Sequence, residues 1–318
     1  MPAAKSPVNR TTASAIVCGN HLYVAAINYR QHQLPELFLS LSEPLSSRDN
    51  LGAQIASISK AAKLKGCHWN FQLYTDQYQL LQTDVPDVPE EEVDDTLKFK
   101  AMDLIQSPLS ESAIAISQFP AEAFRGRLKM AYIIAAKRAE MEDIQDQFGL
   151  QGLLLDSIDI VDMTMRNLVA LASNKPCYAA FSLGKRKSSI NCYFKGHLCL
   201  HRDIDIGSID LVASDSAADA PTSGQRELSV ATLTLEVQRS LDYFESQLAL
   251  GAIADILVIA PEVLSEELVL HFDSAVQPRV LPLRFAETMT LAGGVSPSHS
   301  CEDAFAIGGA LRDWGGHA

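Results

Sequence analysis

One stretch constrains the fold of this chain more than any other, residues 177–207, because it predicts three consecutive β-strands joined by tight turns. Segments rich in β-branched and aromatic residues alternate there with short polar segments that contain glycine, a pattern typical of β-hairpins. With a two-residue turn at Lys195-Gly196, Cys192 would stand opposite Cys199, and Ile190 opposite His201. The predicted strands are 177–183, 189–194 and 197–204.

Composition narrows the classes of function. The 318-residue chain carries a formal net charge of −13, which argues against a general nucleic-acid binder and against adsorption to anionic lipid. Its six cysteines are scattered, with no CxxC pair, so we expect the reduced thiols of a cytosolic protein. No segment approaches the roughly 20 apolar residues that a membrane helix needs. We therefore expect a protein without direct membrane insertion, which reaches a membrane only through a partner.

The first half of the chain alternates strands with helices. Residues 11–85 predict the order β-β-β-α-β, with a hairpin turn at Gly19-Asn20 and a helix over 50–64. The acidic, proline-rich segment 85–92 indicates a subdomain boundary and opens a helix that ends near Gln106. The elements predicted next are strands at 113–117 and 128–135, a helix at 137–148 capped by Gly149, a strand at 153–160 and a helix at 161–173.

The second half repeats this alternation after the central strands. Residues 212–226, rich in Ser, Ala, Asp and Pro, predict a mobile loop. The apolar stripe of 233–248 predicts the clearest helix of the chain. A buried strand at 254–260 and a last helix at 304–313, which carries Gly308-Gly309, complete the pattern. Two such halves predict a two-lobed α/β protein with mixed sheets.

Short motifs between residues 90 and 312 carry a resemblance to a known family, because their order and spacing match it. They are LKFKAMDLI at 97–105 with Phe119-Pro120, IDI at 158–160, HRDIDIG at 201–207, LEVQRSLDYF at 235–244 and AIGGALR at 306–312. With them the chain resembles the PilM family of type IV pilus biogenesis proteins. Within that family it is most similar to the branch that serves the MSHA (mannose-sensitive haemagglutinin) pilus. The first 85 residues match only in pattern.

The resemblance implies an actin-like fold of the FtsA/PilM type, with two lobes and an inserted small subdomain. The first lobe would comprise 11–87 and 156–175, the insert 88–155, and the second lobe 176–318. It also implies a place on the cytosolic face of an inner-membrane assembly platform, beside other platform proteins. The partner would be the cytoplasmic N-terminal tail of a PilN-like (MshJ-like) membrane protein. We expect its groove at Leu97, Phe99, Ala101 and Ile105; self-association stays open.

The family's nucleotide cleft is eroded in this chain. Nucleotide-binding relatives have Asp-Ile-Gly at the first hairpin, where this chain has Val17-Cys18-Gly19, and Asp before the second hairpin's glycine, where it has Ser182. A late Gly-Gly is replaced by Ala260-Pro261. Without the Asp that orients Mg²⁺, we expect no ATP hydrolysis and no cofactor, while weak ATP/Mg²⁺ binding stays open. The matching cleft residues are Gly19, Ser182, Gly184, Lys185, Ser188, Glu236 and Arg239.

Three other interpretations remain open at this stage. A working ATPase could control partner binding through its nucleotide state, although the missing Asp pair argues against it. A sugar-kinase-like enzyme would need a catalytic Asp beside the cleft, and Asp156, Asp159 and Asp162 are the candidates. Strand alternation would also place His197, Cys199 and His201 on one face with Cys192, which suits either a zinc site or an ordinary packed face.

Overall fold

Two large β-sheets and one small sheet organise the computed structural model, which describes residues 10–30, 33–124, 128–212, 221–298 and 300–312. The large sheets have the strand orders β14-β3-β2-β1-β4-β8 and β11-β10-β9-β12-β13, and the small sheet has the order β5-β7-β6. The strands are Arg10–Cys18 (β1), His21–Tyr29 (β2), Glu36–Pro44 (β3), His68–Leu73 (β4), Tyr78–Asp84 (β5), Ser112–Gln118 (β6), Met130–Lys137 (β7), Leu154–Ile160 (β8), Cys177–Leu183 (β9), Ser188–Phe194 (β10), His197–Ile204 (β11), Asp255–Ile259 (β12), Arg279–Pro282 (β13) and Thr290–Leu291 (β14).

The helices cover both faces of the two large sheets. They are Leu51–Ala61 (α1), Glu90–Leu104 (α2), Arg138–Leu150 (α3), Val161–Ala172 (α4), Ser223–Tyr243 (α5), Glu262–Asp273 (α6), Phe285–Thr288 (α7) and Cys301–Ala310 (α8). On the first sheet, Trp69 and Phe71 pack against Phe148 of α3, while Asn70 between them donates to the Gly309 carbonyl of α8. Because neighbouring strand residues point to opposite faces, α3 and α8 lie on opposite sides of this sheet.

The second sheet has the same arrangement. Phe181 of β9 packs on Phe272 of α6, whereas Tyr193 of β10, which is opposite Tyr178, donates to the Asp162 carbonyl of α4. The layers therefore run from α1 and α3, through the first sheet, to α4 and α8, and then through the second sheet to α5 and α6. Both large sheets are covered on two faces, as mixed α/β architectures require.

Helix α8 lies very close to its neighbours because two of its residues have no side chain. A Cβ on Gly308 would lie 2.9 Å from the Thr164 carbonyl oxygen of α4, and one on Gly309 would lie 2.7 Å from Cδ of Gln72 in β4. The face of the first sheet that meets α8 is polar and buried, and Thr12 donates to the Ala310 carbonyl at 2.6 Å. Side-chain to backbone hydrogen bonds thus join α8 to this sheet.

The small sheet begins earlier in the chain than expected. Strand β5, which the sequence analysis missed, pairs with β7, so the small sheet starts at Tyr78 and the predicted boundary at residue 88 falls after its first strand. Helix α2 covers this sheet through a separate small cluster of buried side chains. At the other end of the chain, β14 pairs with β3 of the first sheet, so the assignment of all of 176–318 to the second lobe is wrong for this strand.

The central hairpin has a different register from the predicted one. Strand β11 carries a β-bulge at Cys199, so Cys192 stands opposite Leu200 and Ile190 opposite Arg202. A bulge inserts one residue into one strand and reverses the faces beyond it. His201 consequently stands opposite Asn191, and the predicted shared face of His197, Cys199 and His201 is wrong.

Two further expectations need correction. Helix α5 begins at Ser223, inside the predicted loop 212–226 and well before the predicted helix start at 233, because Thr222 and Gln225 form a capping box. Residues 213–220 of the predicted mobile loop lie outside the described residues. Helix α3 continues through Gly149 to Leu150, and Gly152, at φ +66°, takes the left-handed conformation instead.

Candidate functional site

The predicted cleft lies where the first turn of α8 meets the ends of β1, β4 and β9. The Glu302 Oε1 atom lies 3.3 Å from the Tyr74 hydroxyl and 3.8 Å from the Cys18 thiol. The thiol of the neighbouring Cys301 donates to the Leu183 carbonyl at 3.1 Å. Cys18 ends β1 and Tyr74 directly follows β4 of the first sheet, while Leu183 ends β9 of the second, so α8 connects the two lobes at this point.

The Glu302 carboxylate lies between the two hairpin turns that the resemblance assigns to phosphate binding. Its partner Tyr74 is also close to the second turn, since the hydroxyl is 3.8 Å from the position that a Cβ on Gly184 would take. Burial and the charge of Glu302 raise the pKa of Cys18 to about 11 and that of Tyr23 to about 12. A phosphate at this position would meet a like charge in a partly desolvated site.

Two predicted cleft hydroxyls are already hydrogen-bonded within the protein. Ser182 and Ser189 share a hydrogen bond of 2.8 Å between their hydroxyls, and Ser188 donates to the Ile206 carbonyl at 2.5 Å. Both Ser182 and Ser188 are buried. The Ser188 hydroxyl therefore has no hydrogen left to donate to a phosphate unless it gives up the Ile206 carbonyl, and the Ser182 hydroxyl is held by Ser189.

The β9–β10 turn is held by contacts with the chain that follows β11. The carbonyls of Gly184 and Lys185 accept hydrogen bonds from the backbone N–H groups of Ser208 and Ile209, at 2.9 and 3.2 Å. The side chain of Lys185 is exposed. The turn therefore keeps its shape through protein contacts and needs no ligand to order it. At the first hairpin, Gly19 is exposed, with φ +57°.

The remaining two predicted cleft residues lie elsewhere. Glu236 and Arg239 are on α5, where Glu236 pairs with Arg239 at 2.7 Å and with Arg202 of β11 at 3.3 Å. Helix α5 covers the outer face of the second sheet, while Ser182 alternates with Phe181 and so points to the inner face. The structure does not bring Glu236 and Arg239 together with the hairpin turns.

A buried polar cluster joins the small sheet to both lobes. Sequence reasoning named two of its members for other roles, Asp162 as a candidate catalytic acid and His201 as a candidate zinc ligand. Asp162 accepts hydrogen bonds from Tyr78 of β5 and, at 2.8 Å, from Asn191 of β10. The Nδ1 atom of His201 lies 3.2 Å from Asp162 and 2.7 Å from the Asn191 side-chain oxygen. The Tyr132 hydroxyl of β7 accepts from the His201 backbone N–H at 2.9 Å.

Opposite charges within this cluster determine its protonation. Burial alone would lower the pKa of His201, but the charge and hydrogen bond of Asp162, together with Asp203, raise it to about 10. Burial alone would raise the pKa of Asp162, yet His201 and the donors around it lower that pKa. The cluster is therefore an imidazolium–carboxylate pair at neutral pH. Its oxygen atoms are occupied by protein donors, which favours a structural role over a catalytic one.

The other two candidate acids are also engaged in pairs. Asp156 pairs with Arg10 at 2.7 Å and with His68 at 2.8 Å, and Asp159 pairs with Arg312. In the part of the chain that the structure describes, no group of three or more His, Cys, Asp or Glu side chains could hold a metal ion.

Of the residues predicted to line the partner groove, some are buried and others are exposed. Leu97 and Ala101 are fully buried against the small sheet with Val93, so they do not line a surface groove. Phe99 lies on the other face of α2, 71% exposed, and Ile105 follows the helix, half-buried. The apolar periodicity of this helix thus indicates its packed face.

A second groove lies at the edge of the first sheet. Between helix α3 and strand β8 lies an open cavity of about 320 Å³. Its lining is mixed, with Phe148, Leu153, Leu155 and Ile158 beside the polar Gln145, Asp156 and Ser157. Strand β8 is the last strand of the first sheet, so one edge of its backbone is open to pairing. An extended peptide can add to such an edge and place side chains in the adjoining cavity.

Comparisons with known proteins agree with this architecture. A structure of the PilM–PilN type IV pilus biogenesis complex matches 95% of this chain and 98% of its own, with a TM-score of 0.68 and 16% identity. The cytoplasmic domain of EpsL, an inner membrane component of the type II secretion system of Vibrio cholerae, matches 94% of each chain, with a TM-score of 0.50 and 10% identity. No protein-family model matches the sequence, and no curated protein does. Within the described residues, no helix has the length and apolar character needed to cross a membrane. The chain has the actin-like fold, in the form seen in PilM.

Proposed function

We propose that this chain is a non-catalytic scaffold of a pilus assembly platform, corresponding to MshI of the MSHA pilus. It lies on the cytosolic face of the inner membrane and binds the cytoplasmic tail of a PilN-like, MshJ-like protein. The likeness to a structure named as a PilM–PilN complex supports the partner class, and the likeness to the EpsL cytoplasmic domain supports the platform.

One observation supports the non-catalytic part of the proposal more than the others. The Glu302 carboxylate contacts Cys18, just before the first hairpin turn, and Tyr74, which is close to the second turn. Phosphoryl transfer depends on positioned positive charge and on Mg²⁺. Glu302, the carboxylate beside the turns, is already engaged by Tyr74 and Cys18, and the hydroxyls of Ser182 and Ser188 have partners within the protein. The rival ATPase interpretation requires a positive, metal-holding cleft.

We expect the purified chain to give no saturable heat and no melting shift with millimolar Mg-ATP in isothermal calorimetry and thermal denaturation. A ligand at about 100 times its Kd would stabilise the fold by about 2.7 kcal/mol, which such scans detect. Glu302→Gln removes the like charge, so we expect measurable ATP binding without turnover. Glu91→Gln, on the exposed first turn of α2, is the matched control and should behave as the unmodified chain. Mg-dependent ATP hydrolysis by the unmodified chain would contradict the scaffold.

For the tail, the structure favours the groove between α3 and the open edge of β8. This groove offers the open backbone edge of one strand and contains, beside it, a cavity with apolar side chains on part of its wall. The exposed side of α2 around Phe99 is the competing surface. An edge strand with a neighbouring pocket gives both affinity and register for an extended peptide.

We expect Leu153→Arg to weaken binding of the PilN-like tail peptide at least tenfold, because it replaces part of the apolar wall of the cavity with a long charged side chain. Fluorescence anisotropy with a labelled tail peptide measures this. Leu150→Arg is the matched control, since Leu150 is 82% exposed and does not line the cavity, and it should leave the affinity unchanged. Loss of binding in Phe99→Ser but not in Leu153→Arg would place the tail on α2 instead.

A further inference from the structure

The outer helical layer of the second sheet carries an unexpected apolar ridge. On α5, Leu228 and Leu235 are 68% and 44% exposed, and on α6, Val263 and Leu270 are 80% and 72% exposed. Each pair is spaced by seven residues, so its two members lie on the same side of their helix, two turns apart. We call these four side chains the α5–α6 ridge.

The ridge faces away from the protein core. The buried residues of α5 include Leu233 and Val237, and those of α6 include Leu264 and Leu268, which at 100° per residue lie on the opposite sides of their helices from the ridge. The two helices are neighbours, since Arg226 of α5 pairs with Glu267 of α6. The four apolar side chains therefore form one surface rather than separate exposed positions.

Along α5 the ridge has the spacing of a helix-packing seam. Leu228, Ala231 and Leu235 are all exposed and follow one another at three and four residues. This is the spacing with which one helix receives the side chains of another. A partner with matching geometry would be a helix with its own apolar residues three and four positions apart.

The charge around the ridge indicates the partner's chemistry. Residues 221–273, which include both helices, contain nine Asp or Glu, two Arg and no Lys. Five arginines pair with four of these acids: Arg226 with Glu267, Arg239 and Arg202 with Glu236, Arg284 with Glu266, and Arg279 with the buried Asp255. The acids still outnumber the arginines that reach them. The surface is therefore acidic around an apolar centre. A second copy of this chain would bring the same charge to the interface, and an anionic membrane would be repelled.

We propose that the α5–α6 ridge docks a basic amphipathic helix of a partner protein. Its apolar side chains would pack on the ridge, and its Lys or Arg residues would face the acidic rim. The ridge covers the outer face of the second sheet, whereas the α3–β8 groove belongs to the first. The chain can thus hold two partners at once, and the ridge does not depend on the proposed tail site.

The test uses the full chain and a labelled helical peptide of Leu and Lys, about five turns long, with leucines three and four positions apart. A scrambled peptide of the same composition, which has no apolar face, is the control for charge alone. We expect the amphipathic peptide to bind at least tenfold more tightly than the scrambled one in fluorescence anisotropy. We also expect its affinity to fall at least threefold between low and physiological salt, because the rim contributes electrostatically.

Substitutions locate the binding surface. Leu235→Ser combined with Leu270→Ser should weaken the amphipathic peptide at least tenfold and leave the melting temperature nearly unchanged, because both side chains are exposed. The matched control is Phe99→Ser combined with Met102→Ser on α2, whose side chains are 71% and 51% exposed. This control should leave the affinity for the amphipathic peptide unchanged. Equal binding of the two peptides, or equal binding to the ridge variant, would overturn the proposal. So would a ridge-dependent dimer in analytical ultracentrifugation, which would assign the surface to a second copy.

Discussion

Replacing Gly309 with alanine is expected to lower the free energy of unfolding by about 2 kcal/mol or more, the cost of overpacking a buried site. The new methyl group would lie 2.7 Å from Gln72 Cδ and closer still to the Ser14 hydroxyl. Both side chains are fully buried and hydrogen-bonded to each other, so neither can swing into solvent. The helix preference for alanine returns about 1 kcal/mol at most, which the steric conflict exceeds.

Gly224→Ala is the matched control, because Gly224 is also helical and a Cβ there meets nothing within 4 Å. Its alanine variant should be as stable as the unmodified chain or up to about 1 kcal/mol more stable. Urea denaturation followed by circular dichroism measures both variants. Equal stability of the two variants would show that α8 does not lie as close to β1 and β4 as the structure places it.

The sequence predicts the elements that local rules govern. The Gly19-Asn20 turn joins β1 and β2 as expected, and the three strands after residue 177 were all found, because turn glycines and strand alternation are local signals. Gly308-Gly309 was recognised as a motif, but what it allows is the close approach of α8 to Thr164 and Gln72, which are distant in the chain. No local pattern shows such a contact.

The failures have equally specific causes. Strand β5, YQLLQTD, is half-buried and mixes polar with apolar residues, so neither strand nor helix periodicity stands out. The bulge at Cys199 shifts β11 by one residue, and that shift moves His201 to the face that meets Asp162. A bulge has no reliable sequence signal when its residue is not glycine. The charged cluster could therefore not be predicted from the spacing of its members.

The candidate site was likewise predictable only where a local motif carries it. The replacement of Asp by Ser182 could be recognised from the sequence, because it is a change within a motif. It led to the expectation that the chain does not hydrolyse ATP, which stays a prediction. The position of Glu302 beside the cleft could not be predicted from the sequence, since α8 reaches the cleft only through tertiary packing. The seven-residue spacing of Leu228 and Leu235 was present in the sequence. It was hidden by the stronger stripe of Leu233 and Val237, which marks the buried face of α5.

The other large effect is expected at the buried charge pair. Asp162→Asn should cost about 3 kcal/mol of folding stability, because it removes the buried partner of His201 and leaves only the more exposed Asp203 beside the ring. The amide oxygen of the variant side chain would still accept a hydrogen bond from Tyr78, but His201 would lose the charge that keeps it protonated. The small sheet would lose part of its attachment, because Tyr78 and Tyr132 both bond to this cluster.

The same variant should change how stability depends on pH. The pKa of His201 is about 10 in the folded chain, above its ordinary value of 6.5, so its contribution is fully present below pH 6.5 and is lost as the pH rises towards 10. Between pH 7 and 8, the unmodified chain should lose about 1.4 kcal/mol per pH unit, and Asp162→Asn should lose much less. His21→Gln, at an exposed position, should keep the unmodified slope. Urea denaturation at a series of pH values measures all three chains, and an equal slope in Asp162→Asn would show that His201 is not charged by Asp162.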